Sequence, residues 1–67
     1  MALPDGLRNA RILQGMTQHE VAKALHVSDR TISHWETGYC EPSVSQLIAL
    51  ADLYHISLDE LIDRDFQ

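Results

Sequence analysis

The amino-acid sequence predicts an all-α chain of five short helices, and three observations carry that expectation. Serine or threonine followed three residues later by Glu or Gln recurs at Thr17/Glu20, Ser43/Gln46 and Ser57/Glu60. This spacing makes a capping box, in which two side chains and two orphaned backbone N–H groups at a helix start satisfy one another. Residues that tolerate a left-handed conformation (Gly15, His26, Gly38 and His55) follow the apolar-periodic stretches, as suits the position just past a helix end. No stretch shows the period-two alternation of a strand.

The expected helices span 5–14, 17–25, 28–37, 43–54 and 57–63. The first buries Leu7 and Ala10, with Leu3 at or before its start. In the second, Val21, Ala22 and Leu25 face inward while His19, Glu20 and Lys23 lie outside. Ser28 caps the third, and Asp29 complements the positive end of its dipole. Ile32 and Trp35 supply its inner side. Pro42 breaks the chain before the fourth, whose stripe of Val44, Leu47, Ile48, Leu50, Ala51, Leu53 and Tyr54 is wider than one face needs. Such a stripe marks a central, mostly buried helix. The fifth offers Leu58, Leu61 and Ile62, with Phe66 continuing the spacing. The expected core is Leu7, Ala10, Val21, Ala22, Leu25, Ile32, Trp35, Leu47, Ile48 and Ala51. His26-Val27-Ser28 recurs as His55-Ile56-Ser57: each histidine ends a helix and each serine caps the next, so both histidines read as structural.

A length of 67 residues fits one domain over 1–67. An apolar fraction of 45% with 22% charged residues argues against disorder. The single cysteine, Cys40, excludes an internal disulfide and fits a reducing, cytoplasmic compartment. No apolar run nears the ~18 residues of a membrane span, and the first residues lack a signal-peptide pattern. His19, His26, His34 and His55 show no ligand spacing and Cys40 has no cysteine partner, so neither metal nor cofactor is expected. No nucleophile, base and orienting group share a motif, so no enzyme is expected.

The net charge is -5, opposite to the basic balance of most nucleic-acid binders. The charge is unevenly placed. Within 1–40, Arg8, Arg11, Lys23 and Arg30 balance Asp5, Glu20, Asp29 and Glu36. Within 41–67, Glu41, Asp52, Asp59, Glu60, Asp63 and Asp65 face Arg64 alone. A neutral front with an acidic rear can dock on DNA, with weak non-specific binding.

The third helix is the chemically specific element. Helical spacing puts Asp29, Arg30, Ser33, His34 and Thr37 opposite Ile32 and Trp35. Arginine reads guanine bidentately, aspartate accepts from cytosine N4, and Ser, Thr and His meet bases or phosphates; a helix of this length fits the major groove. The short link through His26 and Val27 makes helices two and three a helix-turn-helix unit.

The stretch MTQHEVAKALHVSDRTISHWETG, flanked by LRNARILQG and EPSVSQLIALADLYHISLDEL, resembles the xenobiotic-response-element (XRE) type regulators, the family of the lambda and Cro phage repressors. The resemblance covers about residues 5–62. It implies a five-helix lambda-repressor-like DNA-binding domain whose third helix enters the major groove. By position, Thr17 and Gln18 open helix two against a phosphate. Asp29, Arg30 and His34 take the base-reading positions, with Ser33 beside them. Thr37, Tyr39 and the backbone near Gly38 meet adjoining phosphates. Arg11 and Glu36 match an ion pair linking helix one to the end of helix three, which also brings Arg11 near a phosphate. Two departures stand out: His26 replaces a frequent glycine at the turn, and Tyr39, Cys40 and Glu41 supply no lysine after helix three.

The implied function is a transcriptional regulator, a repressor by expectation, bound to double-stranded DNA at a palindromic operator as a homodimer. One reading helix covers few base pairs, and two-fold dimers reach half-sites ~34 Å apart. Leu50, Leu53, Leu58, Leu61, Ile62 and Phe66 are the expected dimer surface. The alternative is a repressor-like fold used as a protein-interaction module of antitoxin or anti-repressor type, which the acidic rear would suit. A regulatory protein partner is also considered. The chain reads as a small complete regulator or as the DNA-binding piece of a longer protein.

Overall fold

The computed structural model describes residues 3–62. These form α1 (Leu3–Leu13), α2 (Gln18–Leu25), α3 (Asp29–Thr37), α4 (Val44–Tyr54) and α5 (Leu58–Ile62), with no strand among the described residues. Four helix starts fall one residue inside the expected bounds because Thr17, Ser28, Ser43 and Ser57 cap the helices from outside. α1 starts two residues early. Pro4 is tolerated there, since its missing N–H would be an orphan in the first turn anyway.

The caps are made by short, local contacts. Glu20 N–H donates to Thr17 Oγ1 at 3.1 Å and Thr17 N–H to Glu20 Oε1 at 2.8 Å. Ser43/Gln46 and Ser57/Glu60 repeat the arrangement. At the other ends, His26 (φ 61°) and His55 (φ 59°) adopt the left-handed conformation. Val27 N–H then reaches Ala22 O at 3.0 Å, and Ile56 N–H reaches Ala51 O at 3.1 Å. Both ends are Schellman motifs, with Val27 and Ile56 packed on the core as their apolar followers. His26 thus makes the left-handed turn without the glycine.

The core gathers Leu7 and Ala10 from α1, Val21 and Ala22 from α2, and Ile32 and Trp35 from α3. Leu50, Ala51 and Tyr54 of α4 and Leu61 of α5 complete it. Leu25 and Leu47 pack against it half-buried. Ile48 does not belong to it: the side chain is 48% exposed. α4 buries the stripe containing Leu50, Ala51 and Tyr54, which leaves Val44 and Ile48, one turn apart, on an open flank. The expectation of a mostly buried α4 is corrected accordingly, since only Leu50, Ala51 and Tyr54 of this helix are fully buried.

Two expected dimer residues are also corrected, because Leu50 and Leu61 are 1% and 0% exposed within this chain's own core. Leu50 shares the inward stripe of Tyr54, and α5 folds back on α1 to bury Leu61. Leu53 and Leu58 remain half-buried. Phe66 and the side chains of Leu3 and Ile62 lie outside the described residues.

The α1–α5 contact explains Gly6. A Cβ at that position would lie 2.6 Å from the Leu61 carbonyl oxygen, a distance that forces the backbones apart. Gly6→Ala should therefore destabilise the fold by about 1–3 kcal/mol, although alanine is the better helix former. A thermal melt checks this, with a Tm drop of about 4–8 °C per kcal/mol in a domain of this size.

Tyr54 carries a pH signature. Burial pushes its phenol up to about 12, with the Glu36 charge adding to the rise and Arg11 opposing it. From its ordinary value of about 10 up to 12, the unfolded chain has released this proton while the folded chain retains it. Stability is therefore intact below that window and falls as pH rises through it, by roughly 2–3 kcal/mol in all. Denaturant titrations from pH 9 to 12 should show this loss in the wild type and a shallower one in Tyr54→Phe.

Candidate nucleic-acid interface

The start of α2, the outer side of α3 and the loop after it form one candidate surface, set in place by a buried polar cluster. Arg11 Nε–H donates to Glu36 Oε2 at 2.7 Å, and an Nη2–H donates to Oε1 at 3.1 Å. Arg11 Nη1 donates to the Met16 carbonyl at 2.9 Å, and Gln18 Nε2 donates to Glu36 Oε1 at 3.1 Å. The Arg11 and Glu36 side chains are only 13% and 4% exposed. Hydrogen bonding to Glu36 raises the Arg11 pKa despite its burial. A buried carboxylate with three donors is a satisfied charge that tolerates little displacement. It joins the end of α1, the first residue of α2 and the last turn of α3.

The cluster gives Arg11 mainly an inward role, since three of its N–H groups are engaged there. Gln18 commits one amide N–H to Glu36 and retains its other amide hydrogen and its carbonyl oxygen. Thr17 Oγ1 accepts the capping bond and retains its own hydroxyl proton. Among the described residues, the N–H groups of Gln18 and His19 donate to no backbone carbonyl. Unpaired N–H groups at a helix start, with the dipole behind them, favour an anion such as a phosphate.

On α3, Ile32 and Trp35 are buried while Asp29, Arg30 and Thr37 are exposed and Ser33 and His34 half-buried. All five polar residues thus share the outer side. Beyond Gly38 (φ 85°) the N–H groups of Gly38, Tyr39 and Cys40 all turn back to the His34 carbonyl, at 3.0 Å for Tyr39 and 3.3 Å for Cys40. These backbone amides thus share one intramolecular acceptor. What Tyr39 offers is its exposed side chain, whose ring lies 4.6 Å from that of His34, tilted by 50°.

Three contacts at this surface escaped sequence reasoning: Gln18 with Glu36, Tyr39 with His34, and His19 with Asp29. His19 Nδ1 lies 3.0 and 3.1 Å from the two Asp29 carboxylate oxygens. The sole signal for this last pair is that His19 and Asp29 lie in the first turns of successive helices.

Removing one partner of a buried pair leaves the other charge uncompensated, at a cost of about 3–5 kcal/mol. Glu36→Ala should lose stability on that scale in urea unfolding. Arg11→Met/Glu36→Leu together should lose much less.

The family model described as Helix-turn-helix matches residues 7–61. The HTH-type transcriptional regulator ImmR of Bacillus subtilis is 35% identical over 97% of this chain and 51% of its own length. The HTH-type transcriptional activator BcrR of Enterococcus faecalis is 31% identical over 97% of this chain and 32% of its own length. The chain thus spans about half the length of the first of these relatives and about a third of the second. The crystal structure of the P22 c2 repressor in complex with a synthetic operator superposes with a TM-score of 0.87 at 29% identity, covering 97% of this chain and 98% of that one. The five helices thus have the lambda-repressor-like arrangement, and the chain belongs to the XRE-type helix-turn-helix family of transcriptional regulators.

Proposed function

We propose that this chain binds a specific double-stranded DNA site by laying α3 in the major groove, with the α2 start on a flanking phosphate. The observation that carries this reading is the outer side of α3, where Asp29, Arg30, Ser33, His34 and Thr37 stand together over a buried Ile32 and Trp35. Arg30 reads guanine, Asp29 accepts from a cytosine amino group, and His34 and Ser33 complete the base contacts. Thr17, Gln18, Thr37 and the Tyr39 side chain serve the phosphates, with Arg11 at their edge. The likeness to a repressor solved on an operator supports this mode of docking.

The biological role we infer is transcriptional regulation, with repression as the default direction, in the cytoplasm and on the nucleoid when bound. Among the described residues no helix is long and apolar enough to cross a membrane. A homodimer on a palindromic operator supplies the specificity that one reading helix lacks. With Leu50 and Leu61 inside the core, its surface rests on half-buried Leu53 and Leu58 and on Ile62 and Phe66. The acidic residues of 41–67 favour a second reading, a protein-interaction module. A regulatory protein partner could occupy that same side.

Selection from a random DNA pool at moderate salt separates the readings. Wild type should enrich a palindromic motif, and Arg30→Ala/His34→Ala should lose or relax it while remaining folded. If folded wild type enriches no motif even at low salt, DNA reading is wrong and the interaction module takes its place.

A further inference from the structure

The chemistry at the mouth of the helix-turn-helix unit goes beyond a row of base-reading side chains. Asp29 is the first residue of α3 and the one acidic group on its outer side. A lone exposed carboxylate is a poor reader: it turns freely about its side-chain torsions and repels phosphates. Here it is held. With the proton on Nδ1, the His19 ring donates to a carboxylate whose two oxygens lie 3.0 and 3.1 Å away. The contact crosses from the second residue of α2 to the first of α3.

The exposure of the pair decides what it can do. The His19 and Asp29 side chains are 66% and 61% exposed, so the contact contributes little to stability. A carboxylate has about four lone-pair sites. Donation from one ring nitrogen leaves acceptor capacity turned to solvent, where an incoming base edge would arrive.

From this geometry we infer that His19 is a specificity-determining positioning residue, which holds the Asp29 carboxylate so that it accepts a hydrogen bond from a cytosine amino group. The inference rests on the DNA reading proposed above. His19 restricts the carboxylate before binding, so less freedom is lost on the base, and its dipole offsets part of the repulsion from neighbouring phosphates. It sets preference at one base pair and leaves the remaining contacts of α3 unaltered.

The test is competitive titration on operator duplexes that differ only at the base pair where Asp29→Ala changes the wild-type preference. His19→Ala should lower discrimination at that pair by about two- to fivefold, the range of an exposed charge-assisted contact. In the Asp29→Ala background the same substitution should change nothing further. His19→Asn, whose side-chain amide nitrogen can stand where Nδ1 stands, should restore most of the loss. Unchanged discrimination in His19→Ala, or an equal loss with and without Asp29, would overturn the inference. So would a wild type that reads a motif through Arg30 and His34 while Asp29→Ala matches it at every position. That result leaves the DNA reading standing, whereas a wild type that selects no motif removes both.

Discussion

The structure depends on one buried ion pair. Arg11 and Glu36 are 25 residues apart, and their bidentate contact fixes the end of α1 against the last turn of α3. Gln18 adds the start of α2 to the same carboxylate. An apolar core sets how closely helices approach but is tolerant of how they rotate, since hydrophobic surfaces repack. A buried charge lacks that tolerance, because losing its partners costs several kcal/mol. The angle between the start of α2 and the outer side of α3 is held by the less forgiving of the two interactions.

The same pair shapes the electrostatics. By turning Arg11 inward, it removes one cation from an already sparse set, leaving Arg8, Lys23 and Arg30 exposed in the front half. On the DNA reading proposed above, affinity for the phosphate backbone comes largely from oriented dipoles: the open N–H groups of Gln18 and His19, the Thr17 hydroxyl and the Gln18 amide. Such contacts are short-ranged and directional, unlike the counterion release that drives lysine-rich binders. A surface of this kind gains little from wrong DNA. On the same reading, the acidic residues after position 40 strengthen that bias by repelling non-specific approach.

What could be read in advance was what is local. Capping boxes, the left-handed histidines and the two-sided character of α3 depend on residues within a few positions of one another, and the structure contains them all. The misreadings concern α4 and α5, where the answer depends on which partner covers which flank. Ile48 and Leu50 look alike in sequence, yet only Leu50 lies on the stripe that faces the core. The place of Leu61 follows from Gly6, more than fifty residues earlier, which permits the close approach of α5. At the surface the polar types of α3 were legible from helical spacing. The inward turn of the amides around Tyr39 and the grip of His19 on Asp29 were not, because each depends on how separate segments meet.

A reading of base edges by the outer side of α3 depends on acceptors that lie in the major groove. Replacing each guanine of a selected operator in turn by 7-deazaguanine tests it most directly, since this deletes the N7 acceptor without altering pairing or the minor groove. Binding should weaken by about tenfold or more at one guanine per half-site, and Arg30→Ala should be indifferent to the replacement there. If no guanine responds while binding stays sequence-specific, or if Arg30→Ala responds as wild type does, Arg30 on α3 is not the guanine reader and α3 does not read the groove in this way.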